Sequence, residues 1–218
     1  MVERGRGVAM KSERRDFDRE AATWDTQPLR VKLANDVANA ILEEIAFTQP
    51  MDVLDFGCGT GLVTLRLQPL VRSIVGVDSS QGMLDVFRSK IKDLNIHNVR
   101  TRHLDIEKGD FLDDCFHVVI SSMTLHHVKD VGSLLHRFYM VTAPGGSICI
   151  ADFDPEDGKF HENNDGVFHF GFDRETLRYD VMKAGFADVR TRTAATIVKP
   201  NLDGTMREFT VFLMTGKR

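Results

Sequence analysis

The chain contains no apolar run that approaches the roughly 20 residues of a membrane-spanning helix, and no apolar signal core follows Met1. Its three cysteines are an odd number at unrelated spacings, which favours reduced thiols over a disulfide framework or a metal site. Neither sign of charge predominates, because 28 basic side chains stand against 32 acidic ones, so the chain lacks the basic field of nucleic-acid-binding proteins. We therefore expect a cytoplasmic protein that spans no membrane, holds no metal and binds no nucleic acid.

The length of the chain favours one domain. Its 218 residues, 42% of them apolar, can bury a single sizeable core. We expect one domain over residues 1–218, with a polar leader at 1–30 that covers the ligand and a lid insertion at 154–172 on the substrate side. The insertion is too long for an ordinary connection, which suggests a functional role. We interpret the acids around its start as a solvated loop, with a divalent-metal site as the alternative: Asp152, Asp154, Glu156 and Asp157.

The most informative stretch is residues 53–61, Val-Leu-Asp-Phe-Gly-Cys-Gly-Thr-Gly. The apolar run from Met51 to Phe56, broken by one acid, is typical of a buried parallel strand. Glycines then allow a tight turn, and Thr60 is expected to cap the following helix. A strand, a glycine turn and a helix N-terminus together form a cradle for a nucleotide-like ligand. We expect this ligand to contact Gly57, Cys58 and Gly59.

The ligand of this turn is not expected to be a dinucleotide. The dinucleotide pattern Gly-x-Gly-x-x-Gly needs a glycine where this chain has Leu62, and the charge of Asp55 would repel a pyrophosphate. A carboxylate at Asp55 suits a cationic ligand with an ammonium group, and S-adenosylmethionine is such a ligand. A plain strand-to-helix turn is the alternative.

Asp78 ends a second apolar strand, 17 positions after Gly61. An acid at that place is the usual acceptor for the two ribose hydroxyls. The alternative is that Asp78 only caps the next helix beside Ser79 and Ser80. We assign the ribose to Asp78 and expect further cofactor contacts from Ser79, Met83 and Ser121.

The chain resembles the class I S-adenosylmethionine-dependent methyltransferases at five places, in order and spacing: residues 53–61, 76–78, 104–106, 118–127 and 144–146. Within that superfamily it resembles the small-molecule (type 11) branch, which includes the ubiquinone and menaquinone C-methyltransferases. The resemblance covers about residues 20–218, and its motifs are specific for the cofactor rather than for the acceptor. The chain departs from the family at His117, where an acid is common.

This resemblance implies roles for four more residues. In the family, the positions of Asp105 and Ile106 bind the adenine amine and pack against its ring; a plain strand-end acid is the alternative. The leading helix of the family folds over the cofactor, so Trp24 and Arg30 are expected to reach it, with Arg30 pairing to its carboxylate. Packing of Trp24 as a hydrophobic anchor stays open.

The order of the elements predicts the fold. Helices with one apolar face alternate with short apolar strands, beginning with a helix from Val31 to Ile45. Two final strands, at about 188–198 and 207–215, flank a turn at 201–204 and predict an antiparallel hairpin. We therefore predict an α/β fold: a doubly wound, Rossmann-like sheet of seven strands, mostly parallel with an antiparallel C-terminal hairpin.

Two pairs of histidines are candidates for the chemistry. Methyl transfer from a sulfonium needs an aligned acceptor, and needs a general base only where the acceptor loses a proton. His126 and His127 follow the fourth strand, whereas His161 and His169 lie among phenylalanines in the insertion. Either of the first pair can be a base or an orienting donor, with a simple backbone contact as the alternative. We favour His169 over the methyl group, with a surface position as its alternative, and the phenylalanines favour an apolar or aromatic acceptor.

Three missing motifs narrow the function. No Asn/Asp-Pro-Pro-aromatic tetrapeptide follows the fourth strand, no Cys follows a Pro, and no cysteine pair is placed for arsenic chemistry. We therefore predict a methyltransferase that acts on a small molecule and releases S-adenosylhomocysteine. The alternatives are a protein or RNA methyltransferase and a non-catalytic cofactor-binding subunit. The oligomeric state is not predicted.

Overall fold

The computed structural model describes residues 15–110, 112–161, 163–200 and 205–218. They form one seven-stranded sheet in the order β3-β2-β1-β4-β5-β7-β6, with helices on both faces, which confirms the predicted doubly wound α/β fold. The strands are β1 (Asp52–Phe56), β2 (Ser73–Asp78), β3 (Val99–His103), β4 (Phe116–Ser122), β5 (Thr142–Phe153), β6 (Ala187–Pro200) and β7 (Met206–Lys217). The helices are α1 (Phe17–Glu20), α2 (Pro28–Glu44), α3 (Thr64–Leu67), α4 (Gln81–Asp93), α5 (Val131–Val141) and α6 (Arg174–Lys183).

The first five strands pair in parallel, and β7 runs antiparallel to both β5 and β6. The predicted C-terminal hairpin is therefore confirmed, with strands that extend a few residues beyond the predicted limits. Its turn at 201–204 lies outside the described residues. The parallel pairing follows from the helical crossovers between successive strands, which return the chain to the same end of the sheet.

The apolar side chains form two cores, one on each face of the sheet. Ile41 of α2 and Phe87 of α4 are fully buried in one core, and Phe138 of α5 and Val181 of α6 are fully buried in the other. Leu67 of α3, the helix after β1, belongs to the first core, whereas α5, the helix after β4, belongs to the second, so these two helices pack on opposite faces. Because β1 and β4 are neighbours, a crevice opens between their carboxyl ends, which is where open α/β sheets bind ligands.

Two helix starts differ from the predictions. The first long helix begins at Pro28 rather than Val31, because proline is well suited to the first position of a helix. The prediction that Thr60 caps the helix after the glycine turn is wrong. That helix begins only at Thr64, since the turn continues through Gly61, and the Thr60 hydroxyl instead donates a hydrogen bond of 2.6 Å to Asp25 Oδ1.

The described part of the leader lies against α4. Asp18 Oδ1 accepts hydrogen bonds from Ser80 Oγ at 2.6 Å and from Gly82 N at 2.7 Å. The insertion is joined at its two ends by a hydrogen bond of 2.9 Å from Phe172 N to Phe153 O. Residues 1–14 of the leader lie outside the described residues, and its role as a cofactor cover, like the lid role of the insertion, stays a prediction. Among the described residues, no helix combines the length and the hydropathy needed to cross a membrane.

Candidate active site

The glycine turn lies at the carboxyl end of β1. Gly57, Gly59 and Gly61 have φ angles of +73°, +53° and +82°, a region in which residues with a Cβ are strained. A Cβ on Gly57 would lie 2.1 Å from Thr124 Oγ1, and one on Gly61 would lie 2.2 Å from the ring of Phe87. At Gly59 a Cβ would meet no atom within 4 Å. The turn is therefore packed from below and from the side, and open at its middle glycine.

Asp78 ends β2 and faces the middle of this turn. Its carboxylate accepts one hydrogen bond from Gly59 N and one from Ser80 N, each 2.8 Å long. Ser80, rather than Asp78, caps α4, because Ser80 Oγ accepts from Met83 N at 3.1 Å. Burial raises the pKa of Asp78. Each of its oxygens keeps a second lone pair for a ligand, and ribose binding stays a prediction.

Two neighbours of Asp78 lie differently from each other. Ser79 is exposed, and its carbonyl accepts a hydrogen bond of 3.0 Å from His103 Nε2. Met83 is 2% exposed and its side chain is part of the packed interior. Ser79 is thus accessible to a ligand in this arrangement, whereas the buried side chain of Met83 exposes almost no surface to one. Their cofactor contacts stay predictions.

Asp55 is a buried carboxylate beneath the crevice. It is 2% exposed, and its Oδ2 accepts a hydrogen bond from the hydroxyl of Thr64. Burial raises its pKa to about 6, and the nearby charge of Asp78 acts in the same direction. Among the residues that the structure describes, no Lys, Arg or His forms an ion pair with it. An ammonium group of a ligand would supply the missing opposite charge.

Ser121 lies near the end of β4, which flanks the crevice, and Asp105 follows β3 at the outer edge of the sheet. Ser121, next to Phe56 in the β1–β4 pairing, has a buried hydroxyl with no hydrogen-bond partner among the described residues. Asp105 is 3% exposed and accepts from Glu107 N at 3.2 Å, and Ile106, which follows it, is half-buried. The adenine role of Asp105 and Ile106 and the cofactor contact of Ser121 stay predictions.

The leader places Trp24 and Arg30 together. The guanidinium of Arg30 lies 3.7 Å from the centre of the Trp24 ring, and Arg30 Nη2 donates to Glu20 Oε2 at 2.9 Å. In this arrangement Arg30 therefore already has a carboxylate partner within the protein. Arg30 shares Glu20 with Arg15, which binds both oxygens of that carboxylate. To pair with the cofactor carboxylate, Arg30 must leave Glu20 to Arg15 or bind the cofactor through its other nitrogens. The roles of Trp24 and Arg30 stay predictions.

His126 is held by a buried acid. The loop after β4 forms a short helical turn over Leu125–His127, and His126 is 2% exposed. Its Nδ1 donates to Asp152 Oδ1 at 2.7 Å, and its backbone N–H donates to Asp152 Oδ2 at 3.3 Å. In a neutral ring this leaves the lone pair on Nε2. A histidine oriented by a buried carboxylate can accept a proton or bind a metal.

Asp152 corrects one interpretation of the sequence. A solvated loop was expected there, but Asp152 is fully buried, because β5 continues to Phe153 and carries Asp152 into the interior beneath His126. Asp154 is also paired, through both of its oxygens, with Arg174 at 2.6 and 2.7 Å. The signal available in the sequence is the apolar run from Ile148 to Phe153, which encloses Asp152 and predicts burial for it.

His127 and His161 complete a group of three imidazoles with His126. The ring centres of His126 and His127 lie 4.1 Å apart, and those of His126 and His161 lie 5.3 Å apart. His127 Nδ1 donates to Gly166 O at 2.7 Å, and His161 Nδ1 lies 3.0 Å from Arg15 Nη1. Burial lowers the pKa of both His127 and His161 to about 3, so both rings are neutral at neutral pH.

His169 lies apart from this group. Its Nε2 donates to Val128 O at 2.9 Å, and its ring packs against Phe172 at 5.1 Å between centres. Phe170 is 46% exposed and Phe168 lies under the ammonium of Lys129, so neither ring plugs the core. These contacts give His169 a part in holding the insertion to the loop after β4. Its catalytic role stays a prediction, and the geometry favours His126 over it.

The comparisons with known proteins agree on the class. A family described as a methyltransferase domain matches residues 53–146. The chain is 30% identical over 185 residues to a malonyl-[acyl-carrier protein] O-methyltransferase of Halorhodospira halophila. The aligned region covers 80% of this chain and 61% of that protein. It is 32% identical over 104 residues to a demethylmenaquinone methyltransferase of Listeria welshimeri, which covers 46% of this chain and 44% of that protein. Residues 53–146 thus match a methyltransferase domain, which supports the class I S-adenosylmethionine-dependent methyltransferase predicted from the sequence.

The type 11 branch predicted from the sequence is confirmed by the same relatives. The chain spans 42% to 61% of the length of the first curated relatives that it matches. Among solved structures, the fold is similar to that of phosphoethanolamine N-methyltransferase 2 of Haemonchus contortus in complex with phosphomonomethylethanolamine and S-adenosylhomocysteine. That similarity has a TM-score of 0.71 at 18% identity and covers 95% of this chain and 60% of that one.

S-adenosylmethionine is the cofactor of this methyltransferase class, and three features of the crevice fit it. Asp55 is a buried carboxylate with a raised pKa, which an opposite charge would lower. Among the described residues, the Ser121 hydroxyl has no hydrogen-bond partner, and no atom lies within 4 Å of a Cβ built on Gly59. The residues predicted to hold the cofactor remain predictions: Asp55, Gly57, Cys58, Gly59, Asp78, Ser79, Met83, Asp105, Ile106 and Ser121, with Trp24 and Arg30 of the leader.

Proposed function

We propose that this protein transfers the methyl group of S-adenosylmethionine to a small apolar or aromatic acceptor and releases S-adenosylhomocysteine. The observation that carries the proposal is a group of aromatic rings packed around the histidines of the loop after β4. Phe17 of the leader meets His127 edge-on at 5.0 Å, and Phe153 of β5 meets Phe160 of the insertion at 4.1 Å. Such rings favour a flat, apolar partner.

These aromatic rings and the cofactor crevice meet at one loop, the loop after β4. Thr124 of this loop lies against Gly57, and His126 follows two positions later. An acceptor between the rings would therefore lie next to the cofactor. Positioning of this kind can lower the activation free energy of a displacement reaction by about 7–11 kcal/mol.

In this proposal the cofactor supplies a methyl group that is already activated on a sulfonium, and the protein supplies alignment. Asp55 balances the ammonium group, Asp78 binds the ribose, and Asp105 with Ile106 binds the adenine. The leader covers the crevice, and the insertion closes the acceptor side and excludes water. Deeper burial of the acceptor strengthens each of these polar contacts, because the local dielectric is lower.

Where the acceptor is a hydroxyl, an amine or an acidic carbon, its proton must leave. We assign this step to His126, because Asp152 fixes its Nδ1–H and leaves the Nε2 lone pair to accept the proton. His127 is neutral at neutral pH and can orient the acceptor by a hydrogen bond. His169, the residue favoured from the sequence, contacts the same loop through Val128 O and is the second candidate.

A screen for acceptors tests the proposal. The protein is incubated with S-adenosylmethionine and individual acceptors, and the release of S-adenosylhomocysteine is measured. The panel contains quinones, phenols and small carboxylic acids, together with the acceptors named for the two relatives, a demethylmenaquinone and a malonyl-acyl carrier protein. Turnover with an aromatic acceptor, reduced at least about a hundredfold in His126→Asn and unchanged in His136→Ala, supports the proposal.

Two outcomes contradict it. Turnover only with a protein or RNA acceptor would show that the acceptor is a macromolecule rather than a small molecule. Tight binding of S-adenosylhomocysteine without turnover on any fraction of a cell extract would indicate a non-catalytic cofactor-binding subunit. A cytoplasmic location and a single domain over residues 1–218 are part of the proposal, and fractionation of cells followed by immunodetection tests the location.

A further inference from the structure

The imidazoles of His126, His127 and His161, here called the histidine cluster, exceed what methyl transfer requires. Each ring has a nitrogen that lies within 4.8 Å of a nitrogen of both others. A displacement at a sulfonium methyl needs at most one base, so methyl transfer does not require three adjoining imidazoles. Three converging imidazoles are, by contrast, a common set of ligands for a transition metal.

Two of the rings are oriented as metal-binding histidines are. His126 Nδ1 donates to the buried carboxylate of Asp152 at 2.7 Å, and His127 Nδ1 donates to Gly166 O at 2.7 Å. Because a carboxylate and a carbonyl only accept, the hydrogen of each neutral ring is on Nδ1 and the lone pair is on Nε2. Metal-binding histidines almost always make such a bond with their other nitrogen.

The third ring, His161, has an unmet nitrogen. Its Nε2 is buried and has no hydrogen-bond partner among the described residues. Its Nδ1 lies 3.0 Å from Arg15 Nη1, and since a guanidinium only donates, the hydrogen of the ring is on Nε2 in this arrangement. Metal binding at Nε2 moves that hydrogen to Nδ1. Arg15 then keeps its two bonds to Glu20, of 2.6 and 2.8 Å.

We propose that the histidine cluster binds one divalent transition-metal ion of the class to which zinc belongs, through one ring nitrogen from each histidine. Zinc lies about 2.0–2.1 Å from an imidazole nitrogen, so tetrahedral ligand atoms are about 3.4 Å apart. The nitrogens, which lie within 4.8 Å of one another, therefore need to approach by at most about 1.4 Å. Movement of His161, on the insertion, accomplishes this while the loop after β4 stays in place.

A three-histidine site leaves a fourth position for water or for an oxygen of the acceptor. With the ion bound, the Nε2 lone pair of His126 is occupied, and a metal-bound hydroxide would accept the proton of the acceptor in its place. The ion would join the insertion to the loop after β4 and so fix the acceptor side of the crevice. Arg15 contacts the cluster at His161, and its charge, like that of Lys199, opposes the metal ion. This departs from the expectation of no metal, which rested on the spacing of the cysteines; the histidines come from two distant segments.

Metal binding is measured without any acceptor, so its outcome is independent of the proposed methyl transfer. The tag-free protein is treated with a chelator, dialysed and titrated with Co²⁺, whose visible absorption reports tetrahedral nitrogen ligands, and Zn²⁺ is then added as a competitor. We expect one Co²⁺ per chain, displaced by one Zn²⁺. His161→Ala should weaken binding at least tenfold, whereas His136→Ala, at an exposed histidine on α5, should leave it unchanged.

Two further variants sharpen the test. Arg15→Gln removes the opposing charge and should strengthen Zn²⁺ binding, which a nonspecific surface site would not show. Asp152→Asn should weaken it about 10–100-fold, as for other residues that orient a metal-binding histidine, and affinity for S-adenosylhomocysteine shows whether that variant is folded. Failure of the wild-type protein to bind Co²⁺ or Zn²⁺, or equal binding by wild type and His161→Ala, would overturn the proposal.

Discussion

Asp55→Asn tests the proposed ammonium site through the pH dependence of cofactor binding. In the free protein the pKa of Asp55 is raised to about 6 by burial. If the ammonium group of the cofactor balances its charge, the pKa in the complex returns towards the ordinary value of 3.8. The carboxylate then binds the cofactor only in its ionised form. Affinity should therefore rise with pH, because less work is needed to remove the proton.

The size of this effect follows from the two pKa values. At pH 7 about a tenth of the free protein carries the proton on Asp55, whereas at pH 5 about ten molecules in eleven carry it. S-adenosylhomocysteine should therefore bind about tenfold more weakly at pH 5 than at pH 7, which is about 1.4 kcal/mol. The amino and carboxyl groups of the ligand itself titrate outside this window.

Isothermal titration calorimetry at several pH values between 5 and 7 measures the slope. Asp55→Asn keeps the shape of the side chain and an acceptor for the Thr64 hydroxyl, but it has no charge to titrate. Asp78 is a nearby carboxylate whose pKa burial also raises. Asp78 contributes to the pH dependence of both proteins, so subtracting the slope of Asp55→Asn from that of the wild type leaves the contribution of Asp55. Equal slopes in the two proteins, or a flat wild-type profile, would refute the ammonium assignment.

Four other outcomes are expected. Cofactor-free Asp55→Asn should be more stable than wild type at pH 7, with a free energy of unfolding higher by on the order of 3 kcal/mol in chemical denaturation. The reason is that an acid with a raised pKa in the folded state costs stability as the pH rises from about 4 through about 6. An unchanged denaturation midpoint would contradict this. Asp78→Ala should lose about 1.5–3 kcal/mol of S-adenosylhomocysteine affinity by calorimetry, and NADH should not bind. Removal of residues 1–26 should weaken cofactor affinity and retain the melting transition; complete unfolding would make the leader part of the core. His169→Ala should reduce turnover with little change in S-adenosylhomocysteine affinity, and unchanged turnover would leave it only a structural contact.

Local sequence determined the elements that carry the cofactor site. The glycine turn was predictable because φ angles of +73° to +82° at its ends are open to glycine and strained for other residues. Asp78 was predictable because a strand end is recognised from its apolar run and from its distance to the turn. The sheet was predictable in outline because period and spacing decide whether strands are joined by helices or by a short turn.

Tertiary structure decided the environment of the charged groups. Thr60 follows a glycine and looks like a helix cap, yet its hydroxyl binds Asp25 of the leader, 35 positions away. Arg30 looks like an anion-binding residue, yet it pairs with Glu20. A local pattern gives the chemical type of a side chain, whereas the nearest opposite charge depends on which distant segment folds against it.

The histidine cluster depended on tertiary structure most of all. His126 and His127 are adjacent in the sequence, but His161 and Asp152 come from the insertion and from β5, and no spacing rule joins them. They meet because β4 and β5 are neighbouring parallel strands whose carboxyl ends lie at one edge of the sheet. The sequence alone determined that four imidazoles follow these strands. Only the packing of the insertion decided that His161 enters the cluster while His169 binds the backbone at Val128.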